Sequence, residues 1–199
     1  MEDVYQTIEK ESQGYFKDKG SKFHAFAFPV KNEDEVKEII ARLRKEHHSA
    51  RHHCFAWRLG TGNIIFRAND DGEPSSTAGK PILGQLQSFN VTNILVVVVR
   101  YFGGTLLGTG GLINAYRSAT EDMLSHAKII DKYLEDHFHI RFPYEKLNAV
   151  MKILKEEHII PLLPEYSAAC SMHIHVRKSI SGRLSTRLSV IPGLIIKSG

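Results

Sequence analysis

Cysteine is almost absent: Cys54 and Cys170 are the only two, far apart and without a Cys-x-x-Cys pair. That disfavours a disulfide framework and a thiolate zinc site, and both thiols read as buried core groups. Long apolar runs are missing too. Nothing approaches the roughly 20 residues of a membrane-spanning helix. The start, Met1-Glu-Asp-Val-Tyr-Gln, is acidic and polar where a secretory leader would be basic and then apolar. A cytoplasmic protein with no membrane contact is the expectation. Nucleotide-binding signatures also fail. After Gly108 and Gly110 the dinucleotide fingerprint would need glycine where Ile113 stands, and before Gly79 and Lys80 the P-loop would need glycine where Pro74 stands.

What is present is a strong central signal. The β-branched run Ile94 to Val99 has no polar alternation, so it reads as a strand buried on both faces at the centre of a sheet. It gives way after Arg100 to Gly103, Gly104, Gly108, Gly110 and Gly111, and a helix is expected to start near Leu112. Glycines ahead of a helix N-terminus, flanked by Arg100 and Arg117, fit an anion site for a phosphate or nucleic-acid backbone. They equally fit a tight connection whose glycines serve packing.

A second stretch, Asn69-Asp-Asp-Gly-Glu-Pro-Ser-Ser-Thr-Ala-Gly-Lys-Pro-Ile-Leu, combines carboxylates, hydroxyls and a lysine. Hydrolytic chemistry would need a base aligned on Ser75 or Ser76, and neither a third group nor a Gly-x-Ser-x-Gly elbow is nearby. An ordered binding loop that caps turns and starts a helix through Ile82, Leu83 and Leu86 is the reading. His47, His48, His52 and His53 crowd one region, but no carboxylate or cysteine stands at a ligand spacing and adjacent strand histidines point to opposite faces. Neither a metal nor a cofactor is expected.

Along the chain, short strands are expected at Val4 to Ile8, Gly14 to Gly20 and Phe23 to Val30. Asn32 caps a helix with acids at 33–35 and an apolar stripe Val36, Ile39, Ile40, Leu43 that ends near His47. Runs His53 to Leu59 and Ile64 to Ala68 flank Gly60-Thr-Gly-Asn as a hairpin. Beyond Tyr133 the order is strand 136–142, helix 144–158, strand 159–168, strand 170–177, helix 180–189 and strand 193–197. That is β-α-β-β-α-β, the ferredoxin-like order. The fold class is therefore α+β, with domains at 1–132 and 133–199. The chain's net charge is +4, and residues 133–199 hold nine Lys plus Arg against six Asp plus Glu, so most of the excess lies there.

Residues 69–83 and 100–112, in this order and separation, closely resemble the signature of the IMPACT family. Lys19-Gly-Ser-Lys-Phe and Ala50-Arg-His-His-Cys-Phe-Ala-Trp-Arg support the likeness, which covers about residues 1–130. Ser76 departs from it, standing where the pattern Asp-Gly-Glu-Pro-x-Gly-Thr-Ala-Gly usually has glycine. The resemblance implies a ribosomal-protein-S5 domain-2-like first domain and, in bacterial members, a ferredoxin-like second one. It points to RNA or the ribosome, because the pairing is similar to neighbouring domains of the translocating elongation factor. Larger eukaryotic members regulate translation initiation through a protein partner, using an added N-terminal domain for which these 199 residues leave no room.

The expected function is a non-enzymatic RNA- or ribosome-associated protein with a role in translational regulation. Asp71, Glu73, Ser75, Thr77, Lys80, Arg100, Gly103, Gly104, Gly110, Gly111 and Arg117 would form its ligand site. Arg177, Lys178, Arg183 and Arg187 would form a nucleic-acid surface. Two alternatives stand beside it: an enzyme or sensor for a phosphorylated small molecule, and a protein-interaction module with Tyr101 and Phe102 as its anchor.

Overall fold

The computed structural model describes residues 3–199. The chain divides into two compact mixed α and β units, Tyr5–Lys132 and a second that joins Tyr133–Gly199 to Asp3 and Val4. In chain order the elements up to the boundary are β1 (Val4–Ile8), β2 (Ser12–Asp18), β3 (Ser21–Pro29), α1 (Glu33–Glu46), β4 (His52–Leu59), β5 (Ile65–Asn69), α2 (Gly79–Ser88), β6 (Ile94–Tyr101), α3 (Gly108–His126) and β7 (Ile129–Tyr133).

The run from Ile94 is the middle strand of a five-stranded sheet ordered β2-β3-β6-β4-β5, antiparallel at every junction. Its lack of alternation has the expected cause, since both faces are covered. Ile94, Val96 and Val98 pack with Ile82, Leu86, Leu112, Tyr116 and Met123 from α2 and α3. Leu95, Val97 and Val99 pack with Val36 and Leu43 of α1 and with Trp57. Asn32 caps α1 as its sequence proposes, accepting from the amides of Asp34 and Glu35 at 3.1 and 2.9 Å.

In the second unit the elements are β8 (Glu135–Pro143), a single 3-10 turn at Tyr144–Lys146, α4 (Leu147–Glu156), β9 (Leu162–Glu165), β10 (Ala169–Arg177), α5 (Lys178–Ser189) and β11 (Ile195–Ser198). The sheet order is β11-β8-β10-β9, antiparallel throughout. Even-numbered residues of β8 and β10, among them Ile140, Phe142, Met172 and Ile174, meet Val150, Leu154, Leu184 and Leu188 of the two helices. Odd-numbered residues face away.

Several boundaries differ from the sequence expectation. α3 begins at Gly108 rather than Leu112, so Gly108, Gly110 and Gly111 belong to its first turn. Glycine carries weak helix propensity, but Leu112, Ala115, Tyr116 and Ala119 bury one face and tertiary packing overrides it. β9 is four exposed residues, shorter than the 159–168 run, because Pro161 and Pro164 restrict its pairing. The helix from Tyr144 opens as a 3-10 turn and ends at Glu156. No helix among the described residues is long and apolar enough to cross a membrane.

We propose that the boundary between the two units is also a domain boundary, between Lys132 and Tyr133. Both apolar clusters of the first unit lie wholly within Tyr5–Lys132. A fragment of residues 5–132 is therefore expected to melt in one cooperative transition. Circular dichroism with a denaturant titration checks this, and an insoluble or non-cooperative fragment would refute the boundary.

Candidate functional site

Asp70, at the start of the motif loop, closes the loop on itself. Its carboxylate accepts from the amides of Ser76, Ala78 and Gly79 at 2.8, 3.0 and 2.8 Å, so the N-terminus of α2 is capped from outside the helix. The next carboxylate, Asp71, accepts from Arg44 Nη2 at 2.6 Å and from the His53 amide at 2.7 Å. Glu73 is buried. Its Oε1 receives Arg100 Nη1 at 2.6 Å and the Tyr116 hydroxyl at 2.8 Å. Thr77, also buried, donates its hydroxyl to the Pro74 carbonyl at 2.6 Å, while Ser75 is exposed.

This corrects the expected site at its centre. Asp71, Glu73 and Thr77 hold the loop shut, and Arg100 is spent on Glu73 with 7% and 4% of the two side chains exposed. Arg100 also lies over the Phe23 and Phe102 rings, on the α2 and α3 side of the sheet. An incoming anion would have to displace a buried carboxylate to reach it.

The glycine positions separate in the same way. A Cβ on Gly103 would stand 1.9 Å from the Gly20 carbonyl carbon, so this glycine exists for the approach of the β2–β3 turn, and its amide donates to Ser21 Oγ. Gly104 adopts φ +86° and Gly108 φ +72°. Gly111 is close to the Leu107 side chain. Gly110 alone of the five answers to neither a neighbour nor a positive φ. It sits in the first turn of α3, where no side chain caps the helix and no acidic residue is present. α2 has a carboxylate on its amides; α3 has none.

Between these helices lies a cleft of about 460 Å³ lined by Ser76, Lys80, Pro81, Gly84, Gln85, Ile113 and Arg117. Its two charged liners are both cations. Arg117 lies one turn after Ile113 on α3, so these two side chains line the cleft from one helix face. Ser76 and Lys80 of the motif loop thus face Ile113 and Arg117 of α3 here, and neither Arg100 nor a glycine of 103–111 is among the liners. Ser76, which sequence reasoning set aside as a departure, lines this cleft. It holds φ +64°, which explains the usual glycine: the position is left-handed.

The nucleic-acid surface proposed for the second unit is largely engaged. Arg183 Nη2 and Arg187 Nη1 both reach Glu157, at 2.5 and 2.6 Å, and Arg187 also pairs with Glu156. Hydrogen bonds from Arg187, then Arg183, hold the Glu157 carboxyl below its ordinary range. Arg177 lays its guanidinium on the Tyr133 ring at 3.5 Å, and Lys178 is exposed at the start of α5. Two histidines of the first unit are likewise occupied, while the ring nitrogens of buried His53 have no hydrogen-bond partner. His47 Nδ1 meets the Tyr101 hydroxyl at 2.8 Å, His52 Nδ1 meets the Asp71 carbonyl at 2.9 Å, and burial pushes His53 below its usual range. Tyr101 is thus half-buried and bonded, leaving Phe102 as the exposed member of that pair. Cys54 is buried against Tyr116 and the Asp70 carbonyl, and burial pushes its thiol well up, away from the thiolate a nucleophile needs.

Comparison with known proteins agrees with the motifs. The Impact N-terminal domain family model matches residues 19–124. The IMPACT family member YvyE of Bacillus subtilis is 32% identical over 181 residues, spanning 91% of this chain and 83% of that protein. YigZ of Escherichia coli is 37% identical over 138 residues, 68% of each chain. A crystal structure of a hypothetical protein superposes with a TM-score of 0.70 at 28% identity, covering 98% of this chain and 97% of that one.

Two stability outcomes follow from the loop geometry. Arg100→Ala strands the Glu73 carboxylate in the core, so denaturant unfolding should show a loss of about 3–5 kcal/mol, whereas Lys80→Ala should stay within ~0.5 kcal/mol. Equal effects from both would overturn the assignment of Arg100 to the fold. Ser76→Gly should raise the unfolding midpoint, because relief of the left-handed serine is worth about 1 kcal/mol. A lowered midpoint would mean that the Ser76 side chain holds the loop.

Proposed function

The chain belongs to the IMPACT family, and on that basis we propose that it is a non-enzymatic RNA- or ribosome-associated protein acting in translational regulation. The observation that carries the reading is the α2–α3 cleft, where Lys80 and Arg117 converge without a carboxylate among the liners. Two cations recognise phosphate by charge, and they read no base. The family's link to translation, implied by the sequence resemblance, supports a phosphodiester backbone as the source of that phosphate. The wider architecture is consistent with this. The β11-β8-β10-β9 order with its two helices on one face supports a ferredoxin-like second unit, and the two-faced five-stranded sheet supports a ribosomal-protein-S5 domain-2-like first one.

Absence of catalytic machinery is part of the proposal. The Ser76 amide is bonded to Asp70, whose oxygens also serve Ala78 and Gly79, so Asp70 is no free base for either serine hydroxyl.

Fluorescence anisotropy on single-stranded and structured RNA at several salt concentrations is the test. Wild type should bind many sequences alike, with log K falling linearly as log salt rises. Lys80→Ala with Arg117→Ala should weaken binding to all of them and reduce the salt slope by about 1–2. Arg183→Ala with Arg187→Ala should leave the slope unchanged, since these guanidiniums are held by Glu156 and Glu157. Absence of RNA binding by the wild type at low salt would reject the reading. Saturable binding of a phosphorylated small molecule, lost in the Lys80/Arg117 variant, would then assign the cleft to a metabolite.

A further inference from the structure

The open face of the second unit's sheet holds a side-chain cluster that the cleft does not use. β8 and β10 pair in continuous register, which sets His137 opposite His175 and His139 opposite His173. Strand alternation sends all four away from the helices, because Phe138, Ile140, Ile174 and Val176 between and beside them turn into the core. The ring centroids of His137 and His175 are 4.0 Å apart, and those of His139 and His173 are 4.6 Å apart. Glu135 precedes His137 by two residues on the same face, its Oε2 3.9 Å from His175 Nδ1. One ligand atom each from Glu135, His137 and His175 lies within 4.8 Å of the others.

We propose that Glu135, His137 and His175 bind one divalent transition-metal ion of the zinc class. Two imidazoles and a carboxylate are a three-ligand set for such an ion, and imidazole favours zinc, nickel and copper over magnesium or calcium. An ion about 2.0–2.2 Å from each donor needs those donors closer than they now stand. All three side chains are exposed, so χ rotation closes the gap without disturbing the core. The backbone beneath them is held by a nine-residue register, which supplies rigidity.

The neighbouring charges select this rung over the next one. Arg177 stands opposite Glu135, yet its guanidinium stacks on Tyr133, and no ion pair between the two is formed among the described residues. Lys197 of β11 stands opposite His139, placing a cation beside the His139 and His173 rung and opposing a dication there. Three protein ligands leave a fourth position toward solvent, the arrangement of an ion that carries an exchangeable water.

The test is isothermal titration of the chelator-treated full chain with zinc chloride, repeated with nickel chloride. About one equivalent per chain is expected. His137→Ala with His175→Ala should lower affinity by more than about 100-fold, and Glu135→Gln by about 10-fold, as ligands are removed one by one. His139→Ala with His173→Ala should stay within about threefold, since that pair is outside the proposed set. Metal-free melting curves should coincide for all variants because the side chains are exposed, and Glu135→Gln keeps the assignment testable if a histidine pair destabilises the sheet. Absence of stoichiometric binding, undiminished binding in the His137/His175 variant, or equal loss in the His139/His173 variant would overturn the assignment.

Discussion

The buried pair of Glu73 and Arg100 is the constraint on which the first unit depends. It ties three parts of the chain: Glu73 from the motif loop, Arg100 from the end of the central strand, and Tyr116 from the middle of α3, whose hydroxyl shares the same carboxylate oxygen. A charged pair removed from water gains little net stability, but losing one partner leaves an uncompensated charge in the core. The pair therefore locks the loop's position more than it adds to the fold's free energy. With Asp70, Asp71 and Glu73 all bonded, the loop has no free acid, and the charge it exposes at its end is Lys80.

This arrangement turns an acidic-looking motif into the wall of a basic cleft. Asp70 neutralises the helix dipole at α2, so no anion is needed there, whereas no side chain caps α3. Arg117, one turn beyond Ile113 on that helix, faces the same space as Lys80. The charge balance of the sequence could not show this. The chain holds Asp70, Asp71 and Glu73 beside Lys80, yet their side chains point to different environments, and only the cation is on the cleft.

The second unit repeats the lesson with the sign reversed. Its excess of basic residues reads as a nucleic-acid surface, but Glu157 gathers Arg183 and Arg187 into an α4–α5 clasp. The face with unassigned chemistry is instead the histidine-bearing side of the sheet, built by cross-strand register between residues 34 and more positions apart in sequence. No local spacing signals that pairing. The sequence offers His-x-His twice, at His137/His139 and His173/His175, and only the register aligns them.

By itself the sequence determined the elements with a single strong cause: a central strand from its unbroken apolar run, α1 from its cap and stripe, the α and β order beyond Tyr133, and family membership from two long motifs. It determined these because period, capping and motif spacing are local properties of the chain. Tertiary structure alone decided which charges are spent and which are free, since an arginine reads the same in sequence whether or not a distant loop brings a buried carboxylate beside it. It also decided that Gly103 serves a close approach while Gly110 stands open, and that Ser76 occupies a left-handed turn. Those outcomes depend on which backbone lies within a few ångströms, and packing sets that distance.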